Sequence, residues 1–169
     1  MFYTRNILGK NSREGLVVVG YQGVGKSTLA ENVKNVIDLE SSNFFVDGER
    51  AQDWYIPYCN IARSLCRQGY VVCVSSHKVV RDELMTNPAM RQVIVCPSLE
   101  LKDKWINNLR YRYESTPSDK NYKAWQNALN CYDENIKDLL EQKGFAHRVI
   151  DNMSYGLATL LGLDEQDAI

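Results

Sequence analysis

Hydrophobic residues along the chain fall into short continuous runs separated by longer stretches of helical spacing. Residues 16–19 form an unbroken apolar run rich in β-branched side chains, which is typical of a strand buried on both faces of a parallel sheet. Further short runs predict strands at 44–46, 70–74, 92–96 and 148–150. The segments between them repeat apolar residues every three or four positions and predict helices. Strands that alternate with helices in this way predict an α/β fold with a parallel sheet, in a single domain over residues 1–169.

Helical spacing also predicts which side chains face the core. The segment after Lys26 predicts a helix whose inner face comprises Leu29, Val33, Val36 and Ile37. A second predicted helix starts at Pro57 and has Ile61 and Leu65 on its inner face. The longest apolar stripe comprises Tyr122, Trp125, Leu129, Tyr132, Ile136 and Leu139. Turn-forming residues at 115–119 separate this helix from the preceding one, which begins after Ser98.

A glycine-rich segment follows the first predicted strand and leads directly into a helix. It has the pattern G-x-x-x-x-G-K-S and comprises Gly20, Tyr21, Gln22, Gly23, Val24, Gly25, Lys26, Ser27 and Thr28. In a P-loop, consecutive backbone N–H groups surround phosphate oxygens, and glycines keep side chains out of the way. We expect this segment to hold the phosphates of ATP or GTP, with Lys26 bridging the β- and γ-phosphates and Ser27 ligating Mg²⁺. The alternative is a chance match in an ordinary strand, turn and helix.

Composition and charge argue against other broad classes of protein. The 169 residues are 44% hydrophobic and 24% charged with a formal net charge of -1, which disfavours a generally basic nucleic-acid-binding protein. No apolar stretch approaches the ~20 residues that span a bilayer, and the first residues lack a signal-peptide pattern. We therefore expect a cytoplasmic protein without a membrane partner. The cysteines lack the close pairs of a zinc site and are expected to be reduced core thiols: Cys59, Cys66, Cys73, Cys96 and Cys131.

The later strands separate the main classes of P-loop protein. A GTPase is expected to carry a guanine-reading Asn-Lys-x-Asp motif late in the chain, and none occurs. A motor-type ATPase is expected to end a strand in an acidic residue, whereas the predicted strand at 70–74 is followed by Ser75 and Ser76. A kinase that transfers the γ-phosphoryl group to a bound acceptor therefore fits the sequence better than a switch or a motor.

Three segments resemble the nucleoside and nucleotide kinase branch of P-loop proteins, over about residues 16–161. Val46-Asp47-Gly48-Glu49-Arg50 is similar to the Asp-Gly-Asp-x-x-Arg acceptor segment of adenylylsulfate kinases, with Glu49 in place of the second Asp. The segment 75–81 is placed like the acceptor-contacting segment of that group. Basic residues also lie where nucleoside monophosphate kinases carry a lid over the transferred group, namely Lys102, Lys104, Arg110 and Arg112. In its short length the chain resembles small kinases of phage and bacterial nucleotide metabolism.

The resemblance implies a three-layer P-loop NTPase fold with a five-stranded parallel sheet and a helical lid at about 98–121. It implies an ATP-dependent, Mg²⁺-requiring phosphotransferase whose acceptor is a nucleoside monophosphate, in particular a deoxynucleotide. The implied catalytic residues are Lys26, Asp47, Arg110 and Arg112, and the implied Mg²⁺ ligands are Ser27 and Asp47. The implied acceptor contacts are Asp47, Arg50, His77 and Arg81.

Each of these roles has a structural alternative. Asp47 can cap the turn before Gly48, and the arginines can be solvated surface residues. Arg112 is favoured over Arg110 because it falls three residues after Leu109, on the sheet-facing side of its helix. A nucleoside, a small metabolite such as adenylylsulfate or a sugar acid, and a polynucleotide end stay open as acceptors, as does a non-catalytic nucleotide-binding module. Base preference, sugar preference and oligomeric state also stay open, a homodimer included.

Overall fold

The computed structural model describes residues 15–47, 49–89, 91–154 and 156–163. Its strands are β1 (Leu16–Gly20), β2 (Val36–Asp38), β3 (Phe45–Val46), β4 (Glu49–Arg50), β5 (Val71–Val74), β6 (Gln92–Pro97) and β7 (Ala146–Ile150). A five-stranded parallel sheet has the order β2-β5-β1-β6-β7, so that β1 is its central strand. β3 and β4 form a separate antiparallel pair.

Helices cover both faces of the five-stranded sheet. They are α1 (Lys26–Asn32), α2 (Tyr55–Arg67), α3 (Lys78–Thr86), α4 (Lys102–Ser115), α5 (Asp119–Glu141) and α6 (Leu157–Leu160). β1, β5 and β6 are buried along their whole length, as expected for strands that have helices on both sides. The predicted three-layer α/β architecture is therefore confirmed, together with the predicted strands at 16–19, 70–74, 92–96 and 148–150.

The first helix ends earlier than its apolar spacing predicts. α1 stops at Asn32, and Val33 is extended, with φ -125° and ψ 133°. Asn35 then takes a left-handed conformation with φ 58°, which asparagine adopts more readily than most residues. After this turn the β-branched residues of β2 pair in parallel with β5 at the edge of the sheet. The prediction that Val36 and Ile37 face the core from a helix is therefore wrong.

The predicted strand at 44–46 does not belong to the main sheet. A 3₁₀ turn spans Ser41–Phe44, and each strand of the β3–β4 pair is two residues long. Asp47 is exposed in the turn between them, with φ 52°, a conformation that short polar side chains tolerate. Gly48 lies outside the described residues. The predicted position of Asp47, at the end of a strand beside β1, is wrong because β5 and β6 flank β1.

α2 turns a different face to the sheet from the predicted one. Ile61 is 41% exposed, and the buried residues of the helix are Tyr58, Cys59, Ala62, Arg63 and Cys66. Its small side chains let the helix approach the sheet closely. A Cβ added to Gly15 would lie 1.7 Å from the carbonyl oxygen of Cys66, so the chain has no room for a side chain where it enters β1.

The long apolar stripe of α5 is predicted correctly only in its second half. Tyr132, Ile136 and Leu139 are buried as predicted, whereas Leu129 is 50% exposed. Cys131 is non-helical, with φ -136° and ψ 18°, so the two halves of the helix meet at a kink. Before the kink the buried residues are Asn121, Ala124 and Ala128. The predicted Trp125 is half-buried against the core and stacks on Tyr113, whereas Tyr122 is exposed and meets Tyr113 edge-on.

Two expectations drawn from the composition concern the state of the cysteines and the presence of membrane-spanning segments. Cys59, Cys66, Cys73, Cys96 and Cys131 are all free, and all but Cys131 are buried. In the part of the chain that the structure describes, none of the helices combines the length and the apolar character needed to cross a membrane. Residues 1–14, on which the expected absence of a signal peptide depends, lie outside the described residues.

The carboxyl ends of the parallel strands lie at one edge of the sheet, where ligands collect in open α/β folds. Tyr58 of α2 holds two loops at this edge. Its hydroxyl donates to the carbonyl oxygen of Leu39, after β2, at 2.7 Å and accepts from the backbone N–H of Ser75, after β5, at 2.9 Å. Because Tyr58 is fully buried, both hydrogen bonds form away from water.

Replacing Tyr58 by Phe should remove both hydrogen bonds and keep the ring. We expect the free energy of unfolding to fall by about 1–3 kcal/mol, because a buried carbonyl and a buried N–H lose their partner. Chemical denaturation followed by circular dichroism measures this change. Tyr111→Phe is the control, since Tyr111 is 73% exposed. Equal stability of the two variants would contradict the tethering role of Tyr58.

Candidate functional site

The glycine-rich loop connects the central strand β1 to α1 and has a defined backbone conformation. The N–H of Tyr21 donates to the carbonyl oxygen of Val95 at 2.9 Å, and the N–H of Val24 donates to that of Tyr21 at 3.2 Å. Gly23 has φ 89° and Gly25 has φ 101°. Residues with a side chain rarely adopt such angles, so the loop needs glycine at both positions.

α4 and α5 support this loop from outside. Trp105 Nε1 of α4 donates to the carbonyl oxygen of Gln22 at 2.9 Å. Gln22 Nε2 donates to the carbonyl oxygen of Ala124 and to Asn127 Oδ1 of α5, each at 2.9 Å. A Cβ on Gly23 would lie 3.1 Å from Trp105 Nε1, so the indole ring of Trp105 packs directly against the loop backbone at this glycine. Trp105, within the segment predicted as a lid, and two residues of α5 therefore fix the loop that the sequence predicts to bind phosphate.

Lys26 projects into the mouth of the loop. Its Nζ donates to the carbonyl oxygen of Gly20 at 3.2 Å and to that of Val74, the last residue of β5, at 3.4 Å. Burial lowers the pKa of Lys26, and the negative charge of Asp38 acts in the opposite direction. Its ammonium is thus held by neutral carbonyls, which are weaker partners than phosphate oxygens.

Two carboxyl groups that the sequence analysis did not single out lie close to Lys26. Asp38 is the last residue of β2, and Glu40 follows it by two positions. Burial raises the pKa of Asp38, Lys26 lowers it, and the adjacent Glu40 side chain raises it. Asp38 therefore lies at the carboxyl end of a strand of the main sheet, as was predicted for Asp47, although β5 separates its strand from β1. The sequence signal for it is the apolar pair Val36-Ile37 followed by Asp38, which was missed because these residues were predicted to continue α1.

Arg50 and His77, both predicted as acceptor contacts, lie together. The Arg50 guanidinium donates to Ser41 Oγ at 3.0 Å, and its central carbon lies 4.6 Å from the centroid of the Trp54 ring. Another of its nitrogens lies 3.5 Å from His77 Nε2. Since arginine can only donate, His77 Nε2 accepts, and His77 Nδ1 donates to Ser75 Oγ at 2.8 Å. Tyr58, which accepts from the backbone N–H of Ser75, thus also helps to fix the position of His77.

The surroundings of His77 favour its neutral form. Desolvation of the ring, which packs edge-on against Trp54 at 5.7 Å between centroids, lowers the pKa of His77 to about 4. The positive charges of Arg50, Lys26 and Arg81 act in the same direction. The carboxyl edge of β5 therefore collects several positively charged groups, which favours an anionic ligand.

Arg81 is buried and engaged by its neighbours. Its Nε donates to the carbonyl oxygen of Ser76 at 3.0 Å, and its two terminal nitrogens donate to Gln142 at 2.7 Å and Asp138 at 2.6 Å. The side chain is 5% exposed. These contacts connect the loop after β5 to α5, so Arg81 holds that loop in place, and its predicted contact with an acceptor stays a prediction.

The two arginines predicted for the lid have different environments. Arg112 lines a cavity of about 200 Å³ together with Gly23 of the loop and Met153, which follows β7. Its Nε donates to Asn121 Oδ1 at 3.0 Å. Arg110 faces solvent and pairs with Glu114 at 2.7 Å on the same helix. Both side chains are exposed, so the two arginines differ in that Arg112 borders the loop whereas Arg110 has the environment of a solvated helix face. Their catalytic roles stay predictions.

The break predicted at 115–119 lies between α4 and α5, as the structure shows. Ser118 Oγ caps α5 by accepting from the backbone N–H of Asn121 at 3.0 Å. Asn121 Nδ2 donates to the carbonyl oxygen of Thr116 at 2.7 Å, which closes the turn. Lys102, also predicted for the lid, pairs with Asp133 of α5 at 3.1 Å, and Lys104 is exposed.

The residues at this edge fit a Mg²⁺ ion that is bound together with phosphates. Within the described residues, His, Cys, Asp and Glu side chains form no group of three or more that could hold a metal ion. Mg²⁺ in phosphotransferase sites usually takes one or two carboxylates and keeps phosphate oxygens and water as its other ligands. The exposed hydroxyl of Ser27 and the carboxylate of Asp38 are the protein groups that fit this role.

A central strand, a glycine-rich loop and a helix, set in a parallel sheet with helices on both faces, make a P-loop NTPase fold. No protein-family model matches the sequence, and no curated protein matches it. Among solved structures, the chain is similar to an uncharacterized protein from Eubacterium ventriosum, with 16% identity, a TM-score of 0.47 and coverage of 89% of this chain and 96% of that one. It is also similar to shikimate kinase from Bacteroides thetaiotaomicron, with 13% identity, a TM-score of 0.46 and coverage of 89% and 96%. At these low TM-scores the fold rests on the strand order and the loop of this chain.

The contact between Arg50 and His77 predicts a pH titration. Desolvation and, after it, the positive charge of Arg50 lower the pKa of His77, so Arg50→Met should raise that pKa from about 4 by part of the way to the ordinary histidine value. NMR titration of the ring carbons measures it, with the His147→Gln variant identifying which signal belongs to His77. An unchanged or lower pKa in Arg50→Met would show that the two side chains do not interact as described.

Proposed function

We propose that this protein is an ATP-dependent, Mg²⁺-requiring phosphotransferase that moves the γ-phosphoryl group to a small anionic acceptor, for which a nucleoside monophosphate fits best. One observation carries the proposal. Lys26 of the phosphate loop contacts Val74 at the end of β5, and the Arg50–His77 cluster is built on Ser75, the next residue. A donor site and an anion-binding site therefore lie side by side at the carboxyl edge of the sheet.

The nucleotide side of the proposed site comprises the loop and the cavity beside it. The loop carries the full P-loop pattern and the positive φ angles that the pattern needs at Gly23 and Gly25. The cavity of about 200 Å³ borders Gly23 and is lined by Trp105, Arg112, Ile150 and Met153 among others. Its walls combine apolar side chains with polar groups such as Asn108, and with the arginine they suit a nucleobase and its phosphates.

The acceptor side supports an anion attached to a planar or apolar group. Arg50 supplies the charge, with the central carbon of its guanidinium 4.6 Å from the centroid of the Trp54 ring. Trp54 also lines an open depression of about 480 Å³ whose other lining residues include Phe44, Asn43, Gln52 and Asp53. Aromatic and polar side chains in one depression suit a nucleobase, and the guanidinium on the Trp54 ring suits a phosphate. This combination favours a nucleotide over a nucleoside, which has no anionic group for Arg50.

The proposed chemistry assigns a task to each group. The transition state of phosphoryl transfer is loose and spreads negative charge over the equatorial oxygens, so catalysis depends on positioning and on nearby cations. Lys26 would exchange its carbonyl partners for the β- and γ-phosphates, and Arg112 would add charge from the lid side. Mg²⁺, when bound, would neutralise phosphate charge. Asp38 takes over the role first expected of Asp47, orienting the acceptor or holding Mg²⁺ through water.

Lys26→Ala should abolish transfer in a screen of nucleoside monophosphates, nucleosides and small metabolites for acceptor-dependent ADP release. We expect turnover to fall at least ~10²-fold, because a cation that stabilises the transition state is lost, while the fold is kept. Near-normal turnover would contradict the phosphate site. Stoichiometric ATP binding by the wild type without acceptor-dependent ADP formation would favour a nucleotide-binding module over an enzyme.

Arg112→Ala and Arg110→Ala form a matched pair on one helix. Arg112→Ala should lower turnover about tenfold or more, because it removes a cation beside the loop, whereas Arg110→Ala should leave turnover within about twofold. Steady-state kinetics with the acceptor found in the screen measures both. If the two variants behave alike, the lid does not supply a cation from Arg112.

A further inference from the structure

Four charged side chains form a cluster at the mouth of the phosphate loop, and they carry no net charge together. They are Lys26, Asp38, Glu40 and Lys120. Lys120 Nζ lies 2.6 Å from Glu40 Oε1. The backbone N–H of Leu39, between Asp38 and Glu40, donates to the carbonyl oxygen of Cys73 at 2.9 Å, and Lys26 Nζ lies 3.4 Å from the carbonyl oxygen of the next residue, Val74. The four residues therefore lie at the same edge of the sheet, around the end of β5.

The pair Glu40–Lys120 connects two distant parts of the chain. Glu40 follows β2, and Lys120 belongs to the first turn of α5, eighty positions later. The next residue, Asn121, accepts a hydrogen bond from Arg112 at 3.0 Å. The start of α5 thus brings both Arg112 and Lys120 to the edge of the sheet that holds the phosphate loop.

The pair is easily broken. The side chains of Lys120 and Glu40 are 62% and 35% exposed, and exposed ion pairs of this kind contribute little to stability. A lysine side chain is long and flexible, and its ammonium can move to a new partner without moving the helix. A triphosphate carries several negative charges and competes strongly with a single carboxylate for such a group.

We propose that Lys120 is a phosphate-binding residue that leaves Glu40 when ATP binds and contacts the γ-phosphoryl group. This inference rests on the proposed function and adds Lys120, which lies in the segment implied as a lid but is not among the residues to which the P-loop pattern or the resemblance gives a role. Before ATP binds, Glu40 keeps the ammonium at the mouth of the loop. Glu40 is therefore a positioning residue, and it competes with the nucleotide for Lys120.

If Glu40 competes with ATP for Lys120, replacing Lys120 and replacing Glu40 should have different effects on ATP binding. In a purely structural ion pair the two replacements should have the same effect. Lys120→Met removes the cation, so binding of ATP with Mg²⁺ should weaken and turnover should fall, each about tenfold or more. Glu40→Gln removes only the competitor, so ATP should bind as tightly as to the wild type or more tightly. Lys120→Arg should restore part of the loss. Lys123→Met is the control, an exposed lysine on the same helix.

Isothermal titration with a non-hydrolysable ATP analogue and Mg²⁺, together with turnover and denaturation of each variant, decides the matter. Weaker binding by Lys120→Met, together with unchanged or tighter binding by Glu40→Gln, supports the proposal. Equal losses of affinity and stability in both variants would overturn it and leave a structural ion pair. Lys120→Met behaving like Lys123→Met would also overturn it. If the wild type itself fails to bind the analogue, the proposed function is contradicted. If Lys26→Ala lowers affinity and turnover but Lys120→Met lowers neither, only the role of Lys120 is contradicted.

Discussion

The parallel pairing of β1 with β5, and of β5 with β2, is the constraint on which the rest of the site depends. It brings the carboxyl ends of these strands to one edge. The phosphate loop leaves β1 there, Ser75 leaves β5, and Asp38 ends β2. Lys26 can therefore contact Val74, and the Arg50–His77 cluster can form next to the loop. A different neighbour for β1 would separate the proposed donor site from the proposed acceptor site.

A second feature of the site is the kind of partner that its two lysines have. Lys26 donates to carbonyl oxygens, and Lys120 pairs with Glu40. Neutral carbonyls are weaker acceptors than phosphate oxygens, and the pair Lys120–Glu40 is exposed, so we expect both cations to exchange partners readily. The backbone of the loop is held by Trp105 and Gln22 from outside the mouth. Rigid support behind the loop, with exchangeable partners in front of it, suits the phosphoryl transfer that we propose.

The sequence predicted those parts of the fold whose signals are local. The P-loop pattern and the apolar runs at β1, β5 and β6 depend only on neighbouring residues, and they were found. β2 was missed because Val33, Val36 and Ile37 have a spacing that suits a helix as well as a strand, and the positive φ of Asn35 decides between them. Asp38 was missed with it. The pairs Lys120–Glu40 and Arg81–Asp138 join segments far apart in sequence, so no local pattern predicts them.

The central claim is that the phosphates of ATP bind in the mouth of the loop and take over Lys26. A crystal structure with Mg²⁺ and a non-hydrolysable ATP analogue tests it most directly. The account predicts that Lys26 Nζ has moved from the carbonyl oxygens of Gly20 and Val74 to the β- and γ-phosphates, with the base in the cavity beside Arg112 and Met153. An analogue bound elsewhere, with Lys26 still donating to both carbonyls, would contradict the account.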